Sequence, residues 1–544
     1  MTASTAFAAN PEITDSPATR ALREGLDHVT AGRIGEAIAT FKHGLADAEA
    51  DAKIIAELHF KLGNAGMTLG DLDLAAENYS AALRLQPEMT PCWCNLGSVY
   101  LKWHRAKDAV ALYLHALSLD PRHWPSRTNL VQALIATRQI TLAKLLLLEL
   151  NTERPRDAQL CHQLGKLHAD DDELEAAFDC FRRAVSLRPD DADSFYGIGN
   201  VLQKMDDRAG AEAAFLQAAR LQPLIRRPAA QSPAAFRVLA LFAPFAGNTP
   251  TEYLLTSPAY DANTLAVFDG RNYDIDMLRQ NADVVFNQIS DADQAQALLT
   301  PVAELIDRLG LPTVNPPDKI RQTAREIITR RLKDIPGCRL PKVLRLPADI
   351  SSITALEAAA TFAMPVLARP AGTHGGDDFE KFGNLSEVAR FVQHHPGVEH
   401  YLIEYLDYRS ADGHFRKYRF IFVGDEILPY HLAIGTDWKL HHDNTDMINH
   451  AWMQREEEDF LTDPWAVFDP NHYDALRAIR NIVDLDYFGI DCGLDATGQL
   501  VVFEVNASML VHQHNENFPY KALYVERIRL AFDAMLEKMT AAGD

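Results

Sequence analysis

The sequence predicts a multidomain protein: an all-α repeat solenoid in the first half, then a region of α/β character. Three observations carry this expectation. Pro87, Pro121, Pro155, Pro189 and Pro223 recur at one constant interval, the length of about 34 residues typical of stacked helix pairs. After Phe236 the pattern changes to short apolar runs separated by helical stretches, the alternation of strands and helices. And 544 residues is several times the roughly 100 to 200 residues of one domain.

The composition is globular, with 47% hydrophobic and 24% charged residues, which excludes disorder or collagen-like repetition for the bulk of the chain. Lys plus Arg total 53 against 75 for Asp plus Glu, a net charge of -22. Such a surface repels phosphate backbones and anionic lipids, so neither nucleic acid nor membrane is an expected partner. The six cysteines form no C-x-x-C pair and read as reduced thiols, without disulfides or zinc. No basic segment followed by an apolar run opens the chain, and no stretch approaches the roughly 18 apolar residues of a membrane span. A cytoplasmic location is expected.

Within the first half, the best repeat copy runs Trp93, Leu96, Gly97, Tyr100, Ala109, Tyr113, Ala116 and Pro121. Neighbouring copies keep the frame through Leu62, Gly63, Ala75, Tyr79 and Ala82, then Ala143, then Leu164, Gly165, Ala177, Phe181 and Ala184, then Ile198, Gly199, Ala211, Phe215 and Ala218. These positions resemble the tetratricopeptide repeat consensus. Small residues at Gly97 and Ala109 let paired helices approach, aromatic residues fill the space between pairs, and proline ends the second helix. A degenerate copy around Ala37 and Phe41 stands slightly more than one repeat length before Ala75, an irregularity that suits a capping repeat. Six repeats are expected over 18–223, and the resemblance implies a peptide or protein ligand for their groove. Residues 224–235, rich in Pro, Ala and charge, read as a linker.

The second half opens with apolar runs at 238–242 and 284–286, an amphipathic stretch at 291–309, Pro312 to Asn315, a helix-like stretch at 320–332 and the segment Leu340-Pro-Lys-Val-Leu-Arg-Leu346. From here the sequence resembles ATP-grasp enzymes, to about Phe532. The resemblance implies an α/β pre-ATP-grasp domain at 236–317 and a larger domain of α+β ATP-grasp fold at 318–540. Its strongest element is 488–508, two apolar runs flanking Asp-Ala-Thr-Gly, which predicts a β-hairpin. With its centre between Thr497 and Gly498, Asp491 stands opposite Glu504, and Asn506 shares the face of Glu504. Oxygen-only donors with room for phosphate oxygens suit Mg²⁺. The phrase is most similar to ribosomal-protein glutamate ligases and glutathione synthetases. D-alanine ligases carry an Arg where this chain has Gly489.

The same resemblance places the remaining residues. Arg369 stands where the family carries a phosphate-binding lysine; it keeps the charge with a different geometry. Gly372, Gly375 and Gly376 form a glycine-rich loop whose backbone can approach phosphates, with 372–382 as a lid. Lys319 matches a second phosphate-contacting lysine. Glu404, with the backbone of Tyr405 and Leu406, matches the hinge that holds the adenine amino group. Arg419 is similar to the arginine that reaches into the site. The donor-rich loop at 435–442 either offers Lys439 or His441 to an acyl phosphate or is a surface loop anchored by its Trp. His512 and His514 are candidates for binding the acceptor. The implied function is an ATP-dependent carboxylate–amine ligase using ATP and two Mg²⁺ ions, with a small carboxylate and an amine as substrates. The alternative is a catalytically inactive, ATP-binding interaction scaffold.

Overall fold

The computed structural model describes residues 16–47, 50–245, 247–251, 253–257, 259–350, 356–357, 363–373, 378–440, 445–512, 515 and 517–541. The chain divides into two compact units, Met1–Ala218 and Ala219–Asp544.

The first unit consists of antiparallel helix pairs. In chain order they are α1 (Pro17–Thr30) with α2 (Ile34–Gly44), α3 (Ala52–Leu69) with α4 (Leu72–Leu85), α5 (Thr90–Lys102) with α6 (Ala106–Leu119), α7 (Trp124–Ala136) with α8 (Ile140–Glu153), α9 (Ala158–Asp170) with α10 (Leu174–Leu187), and α11 (Ala192–Lys204) with α12 (Arg208–Leu221). The periodic prolines do not interrupt helices. Each lies just beyond the end of α4, α6, α8, α10 or α12, where a missing N–H costs nothing and the fixed φ blocks continuation.

Two further features recur along the array, the first with the period of the prolines. The residues Gly70, His104, Arg138, Asp172 and Asp206 all have φ between 56 and 77°, turning the chain between the helices of a pair. Only one of these is glycine, so this period is hidden in the residue types. The second feature is steric. A Cβ built on Gly25, Gly63, Gly97, Gly165 or Gly199 would stand 2.1 to 2.8 Å from the ring of Phe41, Tyr79, Tyr113, Phe181 or Phe215 respectively, and the step from glycine to ring is the same in every pair. The glycine is the cavity the ring fills. In the α7/α8 pair the corresponding positions are Val131 and Leu147, both fully buried: the added side chain on one helix is matched by a smaller one on the other.

Among the described residues the second unit contains three sheets. The first comprises β1 (Ile225–Arg227), β2 (Arg237–Phe242), β3 (Asp261–Ala266), β4 (Val284–Asn287) and β5 (Thr313–Val314), in the order β1-β3-β2-β4-β5. All neighbours are parallel except β1, which pairs antiparallel with β3. The segment expected as linker is therefore partly structural: Leu224 is buried in the core and Ile225 pairs with Thr264. The helices α13 (Ile275–Arg279) and α14 (Leu299–Leu309) follow in this region. The amphipathic stretch begins its helix only at Leu299, because Asp291 Oδ1 accepts the backbone N–H groups of Asp293 and Gln294 and holds a turn instead. The expected helix at 320–332 is broken into α15 (Pro317–Arg321) and α16 (Arg325–Leu332), Ala324 taking an extended conformation between them.

β6 (Cys338–Arg339) and β7 (Val343–Leu346) lead into a four-stranded antiparallel sheet in the order β7-β10-β8-β9, with β8 (Val366–Pro370), β9 (Glu380–Phe382) and β10 (His400–Glu404). Helix α17 (Leu385–His394) supplies Val388, Ala389 and Val392 to its core. The third sheet runs β12-β11-β13-β14-β6, with β11 (Phe415–Val423), β12 (Glu426–Gly435), β13 (Tyr487–Leu494) and β14 (Leu500–Asn506). Helices α18 (Ala451–Thr462), α19 (Pro470–Val483) and α20 (Ala522–Ala541) complete the unit. Near the β13–β14 turn the register is Leu494 with Leu500; a bulge then shifts it by one, so that Asp491 faces Glu504 and Gly489 faces Asn506. The expected pairing is present, but only beyond the bulge.

Candidate active site

A cleft of about 830 Å³ opens on the large sheet of the second unit. A single rung crosses four strands of its floor. His431 on β12 is the partner of Arg419 on β11, Arg419 of Asp491 on β13, and Asp491 of Glu504 on β14. Residues opposite one another in antiparallel strands share a face, and all four line the cleft together with Asn506. An imidazole, a guanidinium and two carboxylates thus stand in a row.

The row is electrostatically paired. Arg419 Nε and Nη2 donate to the two carboxylate oxygens of Asp491 at 2.6 and 2.9 Å, and Lys417 Nζ lies 3.4 Å away. Burial pushes the Asp491 carboxyl up, but Arg419 and then Lys417 outweigh burial and hold it well below the usual carboxylate range. Arg325 Nη2 donates to Glu504 Oε1 at 2.6 Å. Asn506 Oδ1 accepts the Ser508 N–H at 2.7 Å, and the Ser508 hydroxyl meets that of Ser290 at 2.7 Å. Beside Asn506, the space over Gly489 is filled by Met509, whose Cγ would lie 2.6 Å from an added Cβ. Among the described residues no three His, Cys, Asp or Glu side chains gather around a common metal position; this set is two carboxylates and an amide.

The other wall comes from the small sheet. Arg369 on β8 lies opposite Tyr401, is 5% exposed, and donates from Nε to Thr373 Oγ1 at 3.0 Å. Glu404 ends β10, its Oε2 accepting the Lys342 N–H at 3.0 Å. Tyr405 and Leu406 follow it into the cleft, alongside Leu367, Ile403 and Phe503. Lys439 also lines the cleft, its backbone N–H donating to Asp437 Oδ1.

Two expected residues are not brought there. Lys319 lies on the short helix α15, and its ammonium pairs with Asp484 at 3.0 Å, outside the cleft lining. The geometry corrects its placement, and Arg325 occupies the cleft from the next helix instead. Gly372, with φ 78°, does not line the cleft; its carbonyl accepts from Gln294 Nε2, and Gln294 does line it. Gly375, Gly376, His441 and His514, all expected at the site, lie outside the described residues. His512 lines the cleft, its Nδ1 3.1 Å from the Tyr430 hydroxyl.

Sequence reasoning missed Arg325, Lys417, His431, Glu457 and Lys521. Lys417 had a signal, since Arg416, Lys417 and Arg419 concentrate charge on one strand. His431 and Glu457 had none, because their contact at 2.5 Å joins a strand to a helix 26 residues later.

Comparison with known proteins bears on the first unit. The family model described as tetratricopeptide repeat matches residues 56–89, 90–123, 158–191 and 192–223, and the N-terminal unit is an all-helical solenoid of such repeats. The match skips the pair in which Val131 and Leu147 replace glycine and ring. The chain is 28% identical over 166 residues to protein O-mannosyl-transferase TMTC3 of Mus musculus, a stretch covering 30% of this chain and 16% of that protein. It is 33% identical over 98 residues to the Mus musculus protein O-mannosyl-transferase TMTC1, covering 18% of this chain and 10% of the other. The match thus spans less than a fifth of these curated relatives. Among solved structures, MamA of Desulfovibrio magneticus RS-1 is 21% identical, covering 32% of this chain and 97% of that one, with a TM-score of 0.30. YrrB, described as a TPR protein with an unusual peptide-binding site, is 22% identical, covering 34% of this chain and 92% of its own, with a TM-score of 0.29. No helix among the described residues is long and apolar enough to cross a membrane.

Proposed function

We propose that the second unit is an ATP-grasp-type carboxylate–amine ligase and that the repeat array recruits a peptide or protein. The observation carrying this reading is the row Asp491, Glu504 and Asn506, presented on one face at the cleft floor. Mg²⁺ is usually held by one or two protein carboxylates plus substrate phosphates, and two carboxylates with an amide fit that donor chemistry. Bound there, magnesium would neutralise charge on the transferred phosphoryl group.

The chain's own residues have separable tasks. Leu367, Ile403, Leu406 and Phe503 offer an apolar slot for a purine, and Glu404 with the backbone of Tyr405 and Leu406 stands where the amino group of adenine would be read. Arg369, Lys417, Arg419 and Lys439 place cations along the cleft for anionic oxygens. The substrate carboxylate would take the γ-phosphoryl group of ATP, and an amine would then displace phosphate from the acyl carbon. Closing the cleft protects that acyl phosphate from water.

A second reading, an ATP-binding scaffold without turnover, draws on a specific observation: Asp491 and Glu504 are each already paired with arginine. An ATP-consumption assay with Mg²⁺ over free amino acids and short peptides separates the two. The ligase reading expects ADP release with some donor–acceptor pair and loss of it to background in Glu504→Ala. ATP binding without turnover on any pair supports the scaffold.

A further inference from the structure

Next to the metal-ligand row lies a cluster that the ligase reading does not use. Glu457 on α18 is fully buried, with three partners besides a backbone N–H: His431 Nδ1 at 2.5 Å, Lys521 Nζ at 3.0 Å and the Tyr520 hydroxyl at 2.5 Å. Leu432 N–H donates to the same carboxylate oxygen that His431 meets. Lys521 Nζ also stands 2.9 Å from His431 Nδ1 and is 5% exposed. A buried carboxylate satisfied by this many donors is held in one place, and it holds the ring it meets.

Two contacts compete for Nδ1: Glu457 Oε1 at 2.5 Å takes a proton from it, and the Lys521 ammonium at 2.9 Å would give one to it. The shorter contact favours the proton on Nδ1, pointing at Glu457, with the ammonium donating to the same carboxylate at 3.0 Å. Nε2 then carries the lone pair, on a ring that lines the cleft. Burial first and Lys521 second lower the His431 pKa to about 4, against the opposing pull of Glu457. The groups facing the ring are Glu457 from α18, Lys521 from the turn before α20, and Arg419 from β11. The ring is therefore neutral in the free protein, and an anionic acyl phosphate arriving on Arg419 would raise its basicity.

The row gives direction to the chemistry. Reading across the sheet, the metal ligands Glu504 and Asp491 come first, then Arg419, then His431. With the phosphoryl group at the metal end and the acyl oxygen at Arg419, the next position along is where the attacking group stands. An acceptor amine arrives at neutral pH as an ammonium ion and has no lone pair to attack with.

Resting on the ligase reading, we propose that His431 is a catalytic base that deprotonates the acceptor ammonium at Nε2, and that Glu457 is its positioning residue. An N–H bond of the ammonium breaks and its proton goes to Nε2. The freed nitrogen pair forms the C–N bond, the carbon–oxygen bond to phosphate breaks with its electrons on the leaving phosphate, and the second amine proton leaves with that phosphate.

The test uses the full chain with ATP, Mg²⁺ and a pool of free amino acids as donors. Two acceptors are compared: the amino acids themselves, and hydroxylamine, which is already unprotonated at neutral pH and traps the acyl phosphate without a base. In His431→Gln, amide formation falls by about 100-fold or more, hydroxamate formation falls far less, and amide formation recovers as pH rises and frees the amine. Glu457→Gln moves the acid limb of the wild-type pH profile to lower pH, a change that loss of packing alone would not produce. Nitrogen-15 spectra of His431 in the wild type should show the Nδ1–H tautomer, which guards against a variant that fails to fold. Equal loss with both acceptors, no loss with either, or the Nε2–H tautomer overturns the base. Absence of both ADP and hydroxamate in the wild type sinks the ligase reading itself, a separate result, and the base with it.

Discussion

The two units solve the same problem, burying an apolar core, at opposite ranges of sequence separation. In the repeat array the decisive contacts are local and periodic: a glycine meets a ring one short, fixed step further along the chain, in five pairs. In the second unit they are long-range and singular. Thr249 Oγ1 donates to the Ala507 carbonyl 258 residues away, and the Tyr260 hydroxyl to Asp533, 273 residues away. The difference teaches where vulnerability lies. A repeat array distributes stability as a sum of neighbour terms, whereas the second unit also depends on single residues that join distant segments.

Asn315 is the sharpest instance, and its loss should have the largest effect. Its side chain is fully buried, accepts the backbone N–H groups of Asp486 and Tyr487 at 2.9 and 3.0 Å, and donates to the Tyr487 carbonyl at 2.6 Å. It also sits at φ 54°, which asparagine tolerates better than alanine. Asn315→Ala orphans the two buried backbone groups of Tyr487 and the partly buried N–H of Asp486 at the start of β13, the strand that carries Asp491. We expect a loss of about 4 kcal/mol, read by hydrogen exchange as deprotection of β13 and β5. Protection in α3 to α10 should not change. Equal deprotection of the array would break the contrast.

What is legible in the sequence follows the same division. The repeats are readable because each contact recurs at a fixed spacing, so Gly97 and Tyr113 announce themselves through Gly63 and Tyr79. The Asp491–Glu504 pairing is readable because a hairpin is also local, although the bulge beside Cys492 is not. Arg419 and Arg369 can be placed by alternation and resemblance. Lys319 is misplaced because a lysine on a short helix can swing to either side, and Asp484, far along the chain, offers it a partner away from the cleft. The buried Glu457 with its ring of donors leaves no trace in the sequence, since His431 belongs to one strand, Glu457 to a later helix, and Tyr520 and Lys521 to a turn beyond both.

The array can be probed at the next level of effect. Gly97→Val forces a branched side chain where even a Cβ would stand 2.8 Å from Tyr113, and overpacking of this kind costs about 2 kcal/mol. The α7/α8 pair already shows the compensation, Val131 against Leu147. Gly97→Val with Tyr113→Leu should therefore recover at least half of the loss, measured as the coupling energy of a double-mutant cycle in urea denaturation. A cycle with no coupling would mean that the ring and the glycine do not form the contact on which the comparison rests.

The smallest effect runs in the stabilising direction, and it isolates the backbone from the packing. Arg138 holds φ 58° in the turn between α7 and α8, where the equivalent residue one pair earlier is His104 and two pairs earlier is Gly70. A left-handed conformation costs a residue with a Cβ about 1 kcal/mol relative to glycine, offset in part because glycine gains freedom in the unfolded chain. Arg138→Gly should accordingly stabilise the array by about 0.5 kcal/mol, detected as a higher urea midpoint with an unchanged denaturant slope. The same substitution at Asp206 should gain less, because aspartate tolerates this region more readily than arginine. A ranking with Asp206→Gly ahead of Arg138→Gly would show that the turns are governed by side-chain contacts particular to each repeat, and not by the shared backbone geometry that makes the array periodic.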